Sequence, residues 1–432
     1  MRRPHQTRRA SCLLAALGTA AASGAVSAAT TPALTDSDGV RALVTEMIAD
    51  AEGRSSLLQS GATAGHDGSG FFLASPDGAF KLNVKGFMQF RYHLNFRDGN
   101  SIGDDFTPGF SAPRTVMFFK GHVFDDIDYQ IRFNFSRATG TAGLDDAWVR
   151  FHLDDNWTMR AGQGLFAFDR EWYHGDVKLQ TIERSMVALM FGGVRAQLVD
   201  FKYQNDDFRA IFTYSDGLRS LNTDLGASPA DYAFTARGEW KLNGDWKTVT
   251  GAVTSPRGSE GGFALGGALH YEKGPDTGVP GSVEQDLFAW TADLNYKDDG
   301  WNVLASATGY HTTDEAGVAG ADFDEFGAMI QGGVYVSDDV EIFGRYSVII
   351  PDSNRAADDN FNTLTLGANY YIHGQAVRFT VEGQLFLDAT TDTVAGNFGG
   401  AGGRNPASSL FGVLADDDDN QFTLSAQLQL LF

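Results

Sequence analysis

From residue 71 to the C-terminus the chain reads as a series of segments of roughly ten residues in which apolar and polar side chains alternate, the period of a strand with one oily and one wet face. In 82–94, Leu82, Val84, Met88, Phe90, Tyr92 and Leu94 alternate with Asn83, Lys85, Gln89, Arg91 and His93. Segment 129–136 sets Tyr129, Ile131, Phe133 and Phe135 against Gln130, Arg132, Asn134 and Ser136. The pattern returns at 208–215, 363–370 and 377–384 and persists to the end of the chain.

Alternation alone also fits a soluble sandwich with one solvated face, so the connections must decide. Short turns at 125–128, 154–156, 204–207, 297–300, 337–339 and 373–375 take turns with longer Gly/Asp/Ser/Pro connections such as 96–113 and 388–420. That asymmetry belongs to a closed antiparallel transmembrane β-barrel, with tight periplasmic turns and long outer loops. Strands must come in pairs between successive periplasmic turns. Reading 246–253 as a strand breaks that parity, whereas treating 244–261 as an extended periplasmic connection restores it and predicts about sixteen strands around an aqueous lumen. The chain ends on an alternating strand, 421–432, that closes with Phe432, as exported barrels do.

The pattern differs upstream. Residues 1–29 carry Arg2, Arg3, Arg8 and Arg9, then an apolar stretch, then Val26-Ser27-Ala28, which reads as a signal peptide. Residues 30–70 form a periplasmic N-terminal segment in which Val40, Leu43, Val44, Met47 and Ile48 predict a short amphipathic helix over 35–60, either a spacer or plug or a brief coiled coil between protomers. The barrel domain then occupies 71–432. Beyond the signal there is no run of 18 apolar residues, so a spanning helix is excluded and only a barrel can cross.

Composition narrows the chemistry. The one cysteine, Cys12, lies within the signal, which leaves the mature chain without disulfides, thiol chemistry or a cysteine metal site. Net charge is −22 for the whole chain and −26 once the four arginines of the signal are gone, so nucleic acid is not a partner. No phosphate-cradling loop, zinc motif or nucleophile elbow occurs, and no cofactor is expected. The acidic runs Asp104-Asp105, 322–325 and 416–419 read as solvated outer loops rather than ion sites.

Stretch 144–163 (LDDAWVRFHLDDNWTMRAGQ), Glu183-Arg184-Ser185 and 266–271 (GGALHY) resemble, in this order, the phosphate-selective porin family, porins O and P. The resemblance covers most of the chain after Phe71 and is strongest in its first half. It implies a homotrimer of sixteen-stranded barrels in the outer-membrane bilayer, each with its own pore, and a third outer loop, here 164–193, folded into the lumen. One departure bears on solute choice: relatives often continue Gly-Gln-Phe-Lys where this chain has Gln163-Gly164-Leu165, so a lysine of the constriction is missing.

Alternation sends Arg114, Lys120, Arg132, Arg150 and Arg160 to the wet face of four neighbouring strands, and the inserted loop adds Arg170, Lys178 and Arg184. Two readings follow. The eight form a ladder that lines the pore and passes small anions such as phosphate, because a guanidinium fork suits oxyanions. Alternatively they pair with acids such as Asp145, Asp146, Asp169 and Glu171 and brace the loop. Inward acids on later strands, Glu239, Asp293, Glu325, Glu341 and Glu382, would offset the basic stripe. The sequence thus predicts a non-enzymatic porin for passive diffusion of ions and small hydrophilic solutes, with a structural or adhesin-type surface barrel as the alternative.

Overall fold

A computed structural model describes residues 45–46, 61–68, 70–97, 105–136, 138–227, 230–274, 285–314, 322–354, 359–390, 412–416 and 418–432. The signal, and the helix expected over 35–60 apart from its helical residues 45 and 46, lie outside the described residues.

The alternating segments are strands. Two short ones come first, β1 (Thr63–His66) and β2 (Phe71–Ala74). The wall begins with β3 (Phe80–Phe96), β4 (Phe106–Val123), β5 (Ile127–Phe135), β6 (Ala142–His152) and β7 (Trp157–Leu165). It continues through β8 (Arg195–Gln204), β9 (Phe208–Ser215), β10 (Tyr232–Asn243), β11 (Gly262–Lys273), β12 (Gln285–Asp298) and β13 (Trp301–Asp314). The last five are β14 (Phe323–Tyr335), β15 (Val340–Ile350), β16 (Phe361–His373), β17 (Val377–Phe386) and β18 (Gln421–Leu431).

Each strand from β3 onward pairs antiparallel with the next, and β18 returns to β3 with Phe422 opposite Phe96 and Leu431 opposite Phe87. The result is a closed sixteen-stranded barrel. Closure satisfies every wall strand on both sides, which lipid requires because it offers no hydrogen bonds. The β1–β2 hairpin lies beside the first part of β3, with Phe71 opposite Val84, and meets the C-terminus where Gly86 and Phe432 exchange backbone hydrogen bonds of 2.7 and 2.9 Å. The sheet therefore starts earlier than residue 71.

The two faces sort as alternation predicts. Phe90, Phe212, Phe234, Leu269, Ile330 and Leu366 point outward and are more than half exposed, whereas Gln89, Arg91, Arg237, Arg345 and Gln427 point inward and are buried. Trp240 and Trp301 stand on the outer surface near strand ends, as an interfacial girdle requires. Tyr310 and Tyr371 face the lumen: their hydroxyls donate to the Phe191 carbonyl and to Glu341, so polar partners inside outweigh the interface.

The first long outer connection is also shorter than 96–113. Residues 106–111 already pair with β3 while β5 begins to pair only at Val116, so β4 overhangs its neighbour. An overhanging edge has no ladder bond for Pro108 and Pro113 to break. Residues 246–250 of the periplasmic connection between β10 and β11 are a short helix, in accord with the parity argument.

Candidate functional site

The lumen is shaped by the loop 166–194, which leaves β7 and re-enters the wall at Arg195. Two short helices fix its path. Asp169 caps α1 (Arg170–Tyr173) by accepting from Trp172 N at 3.0 Å, and Ser185 caps α2 (Met186–Phe191) by accepting from Ala188 N at 3.1 Å. Phe166, Phe168, Trp172, Met186, Leu189 and Phe191 are all buried and pack on inward Ala268, Leu287, Leu304, Tyr310 and Met329. The loop so acquires an apolar core inside a polar lumen, which holds it to one side of the barrel.

Two glycines of β14 make the approach possible. A side chain at Gly327 would meet Val187 and Phe191 at 2.9 Å, and one at Gly333 would collide with Gln180. Gln180 donates to Asn302 at 2.9 Å and Glu341 at 2.7 Å, Ile182 N donates to Glu382 at 2.8 Å, and Arg378 donates to the Leu179 carbonyl at 2.6 Å. Glu341 and Glu382, inward acids by alternation, thus serve as acceptors for the loop.

Most of the basic stripe is tied into two ion-pair clusters. In the first, Arg114 grips Glu183 at 2.6 and 2.8 Å, Arg91 reaches the same carboxylate at 3.1 Å, Arg132 binds Asp176 at 2.6 Å and Asp145 at 3.0 Å, and Arg184 binds Asp176 at 2.9 Å. Burial pushes the Glu183 carboxyl up, but the facing Arg114 and Arg91 guanidiniums outweigh it and hold it at about 2. Burial opposes ionisation of Asp176 as well, yet Arg114, Arg184 and Arg132 carry its pKa well below the usual carboxylate range. In the second cluster Arg170 and Arg237 converge on Asp293 and Glu239, and Arg209 adds a 2.9 Å contact to Glu239.

Of the eight basic residues picked out in the sequence, Arg114, Arg132, Arg170 and Arg184 are accordingly buried and paired. Arg160 is paired with Asp200 but also lines a cavity. Lys120, Arg150 and Lys178 keep contact with open space: Lys120 is exposed, Arg150 is about a third exposed with Asp128 only at 3.9 Å, and Lys178 donates to the Thr250 carbonyl at 3.2 Å.

Residues beyond β4–β7, the strands that carry Arg114, Lys120, Arg132, Arg150 and Arg160, complete the wall. The Lys202 side chain on β8 makes no hydrogen bond or ion pair among the described residues, and it lines two cavities of about 170 and 200 Å³. The first is bounded by Arg150, Arg160, Asp146 and Asp200, the second by Arg170, His174, Lys178 and Arg209 with no carboxylate. Tyr173 borders both. Lys202 and Arg209 lie on the inward parity of β8 and β9, so period-two reading extended by two strands finds them. Burial, then the neighbouring Lys297 and Arg170 cations, hold His174 neutral by drawing its pKa well below the usual imidazole range.

These two cavities follow the β6–β9 wall, and what faces them is mainly cationic. Both carboxylates there, Asp146 and Asp200, are engaged by Arg195 and Arg160. Fixed positive charge on low-dielectric walls lowers the energy of an anion in the water path.

The family model for phosphate-selective porin O and P matches residues 84–241, the half of the barrel that contains this wall. No curated protein matches the chain. Among solved structures, the barrel superposes on an anion-selective porin from Comamonas acidovorans with TM-score 0.54 at 13% identity, covering 81% of this chain and 99% of that one. The outer-membrane channel DcaP of Acinetobacter baumannii gives 0.52 at 15% identity, covering 84% and 100%. Salmonella typhi OmpF gives 0.55 at 11%, covering 82% and 98%. These identities establish the fold, which is that of a porin, and the matched segment agrees with the outer-membrane setting that the lipid-facing band demands.

Proposed function

We propose that this outer-membrane porin passes ions and small hydrophilic solutes by diffusion, with a preference for anions of the phosphate class. Family and fold point to a channel and not to an enzyme. The observation that carries the anion preference is the unpaired Lys202 between two cavities whose other cations are Arg150, Arg160, Lys178 and Arg209. In these two cavities a solute of one negative charge meets no free carboxylate among the described lining residues. The anion-selective neighbour and the matched family support the same sign.

The acids Glu239 and Asp293 offset this field little at the path, because arginines already pair with them. The family likeness further supports a homotrimer, and 1–29 serves as the export signal, with the barrel domain following an N-terminal periplasmic segment.

The reading is tested by the reversal potential of purified protein in a planar bilayer under a potassium chloride gradient. An anion-selective sign supports it, and a cation-selective sign refutes the preference while leaving the channel.

A further inference from the structure

Periplasmic connections in this barrel are two to four residues long, save one. The connection between β10 and β11, residues 244–261, holds α3 (Trp246–Thr250) and folds back into the barrel. Val249 and Val253 are fully buried, as are Thr254 and Ser255 beside them. A segment that merely bridged two strands at the periplasmic rim would leave such side chains in water.

Its bonds trace where it goes. At one end Trp246 Nε1 donates to the Asn205 carbonyl at 2.7 Å, in the turn between β8 and β9, and Arg209 lies over the Trp246 ring at 4.2 Å. In the middle Asn295 donates to the Val249 carbonyl at 2.8 Å, Lys297 donates to Thr248 at 2.9 Å and also to Ala252, and Asn302 donates to Val253 at 3.0 Å. At the far end Thr254 and Tyr335 share a hydroxyl hydrogen bond of 2.8 Å and Arg257 donates to the Tyr335 carbonyl at 2.8 Å. The segment therefore runs as a plate from the β8–β9 turn to β14, across the inner mouth.

It also touches the lumen loop from below. Val253 N donates to the Lys178 carbonyl at 2.9 Å, Lys178 Nζ donates to Thr250 O at 3.2 Å, and His174 Nδ1 bonds Gly251 O at 2.9 Å. With His174 neutral, that ring nitrogen is the donor, since a carbonyl only accepts. The carbonyl end of α3 carries partial negative charge, which suits the ammonium groups of Lys178 and Lys297.

We infer that residues 244–261 form a second constriction, placed on the periplasmic side, which closes the β10–β14 side of the inner mouth and confines the exit to the space beside Lys202 and Arg209. The carboxylate-free cavity of about 200 Å³ is the gap this leaves: Thr250 supplies one wall, the loop supplies Arg170, His174 and Lys178, and the barrel supplies Lys202, Gln204 and Arg209. The inference rests on the channel reading and adds that selection is exercised twice, by the outer loop and by this turn.

Two variants test it against wild-type conductance, which tests the channel reading separately. Replacing 246–259 by a short Gly-Ser turn is expected to raise single-channel conductance roughly twofold and to weaken the anion preference, as removing a narrow charged section of a pore does. The second variant leaves the turn in place. In a Cys12→Ser background, Thr250→Cys provides a unique thiol, and a negatively charged methanethiosulfonate applied from the side of the short turns is expected to cut the current. A shortened turn that folds and conducts as wild type, or a Thr250→Cys thiol shown by mass to be modified with no change in current, would overturn the proposal.

Discussion

Arg114 on the wall and Glu183 on the lumen loop form a two-bonded guanidinium–carboxylate pair, Nη1 to Oε2 at 2.8 Å and Nη2 to Oε1 at 2.6 Å, with both side chains buried. It fastens the loop to β4, three strands along the wall from β7, where the loop originates. A residue that sequence position marks as pore-lining is here a strut.

Breaking one member of this pair leaves the other buried without its nearest counter-charge, a change that costs up to about 3–5 kcal/mol. Glu183→Gln takes the nearest carboxylate from both Arg114, which keeps Asp176 at 3.4 Å, and Arg91, which keeps Gln427. The heat-modifiability midpoint on semi-native gels is expected to fall, and open-channel noise to rise as the loop loosens. An unchanged midpoint would show that the pair contributes nothing net.

The division between struts and exposed cations predicts which arginine matters for permeation. Lys202→Glu together with Arg150→Glu should lower the anion-to-cation permeability ratio strongly, by reversing charge along both cavities. Arg132→Gln, whose guanidinium is consumed by Asp145 and Asp176, should lower stability while moving the ratio little. Equal effects on the ratio from both variants would contradict this division.

Acid should release the loop late. Glu183 has a folded pKa of about 2 against an ordinary 4.5, so its pairing contributes stability that is full above 4.5 and is lost as pH falls towards 2. Asp176, shifted in the same direction, adds to it. Trp172, which stacks on Arg184 in the loop, should keep its fluorescence down to about pH 4 and change below it. Fluorescence that stays unchanged between about pH 4 and pH 2 would refute the assignment.

Asp169 titrates the other way. Burial first, then repulsion from Glu171, raise its carboxyl from 3.8 to about 7. Its contribution is full below 3.8 and lost as pH rises through 7, so the α1 end of the loop should loosen on the alkaline side. Asp169→Asn keeps a cap that accepts from Trp172 N while removing the charge. Channel noise in that variant should be flat between pH 6 and 8 where wild type rises, which bilayer recordings at several pH values would check.

The loop's seat depends on missing side chains. Gly333→Val would thrust a branched group into Gln180 and Glu341, and Gly327→Leu would meet Val187 and Phe191. Overpacking of this kind costs about 1–3 kcal/mol, and here the loop yields more readily than the wall. Both variants should narrow the water path, read as reduced conductance with the barrel's circular dichroism unchanged.

The sequence by itself determined the barrel. Period-two alternation, turn lengths and parity depend on neighbours along the chain, so Phe90, Arg91 and their successors could be assigned to lipid or lumen without any knowledge of what stands opposite. It also marked 164–193 as the inserted loop, through the family likeness, and 244–261 as something other than a strand. The same reasoning sent Arg114, Arg132, Arg170 and Arg184 to the lumen but could not say that carboxylates consume them, because Asp176, Glu183, Glu239 and Asp293 approach only when the loop crosses the barrel. Only the tertiary structure decided that Lys202 stays free, that Tyr310 and Tyr371 turn inward, and that 244–261 folds up against Lys178. Charge neutralisation depends on distance in space, and strands a hundred residues apart in sequence share a wall only once the sheet has closed.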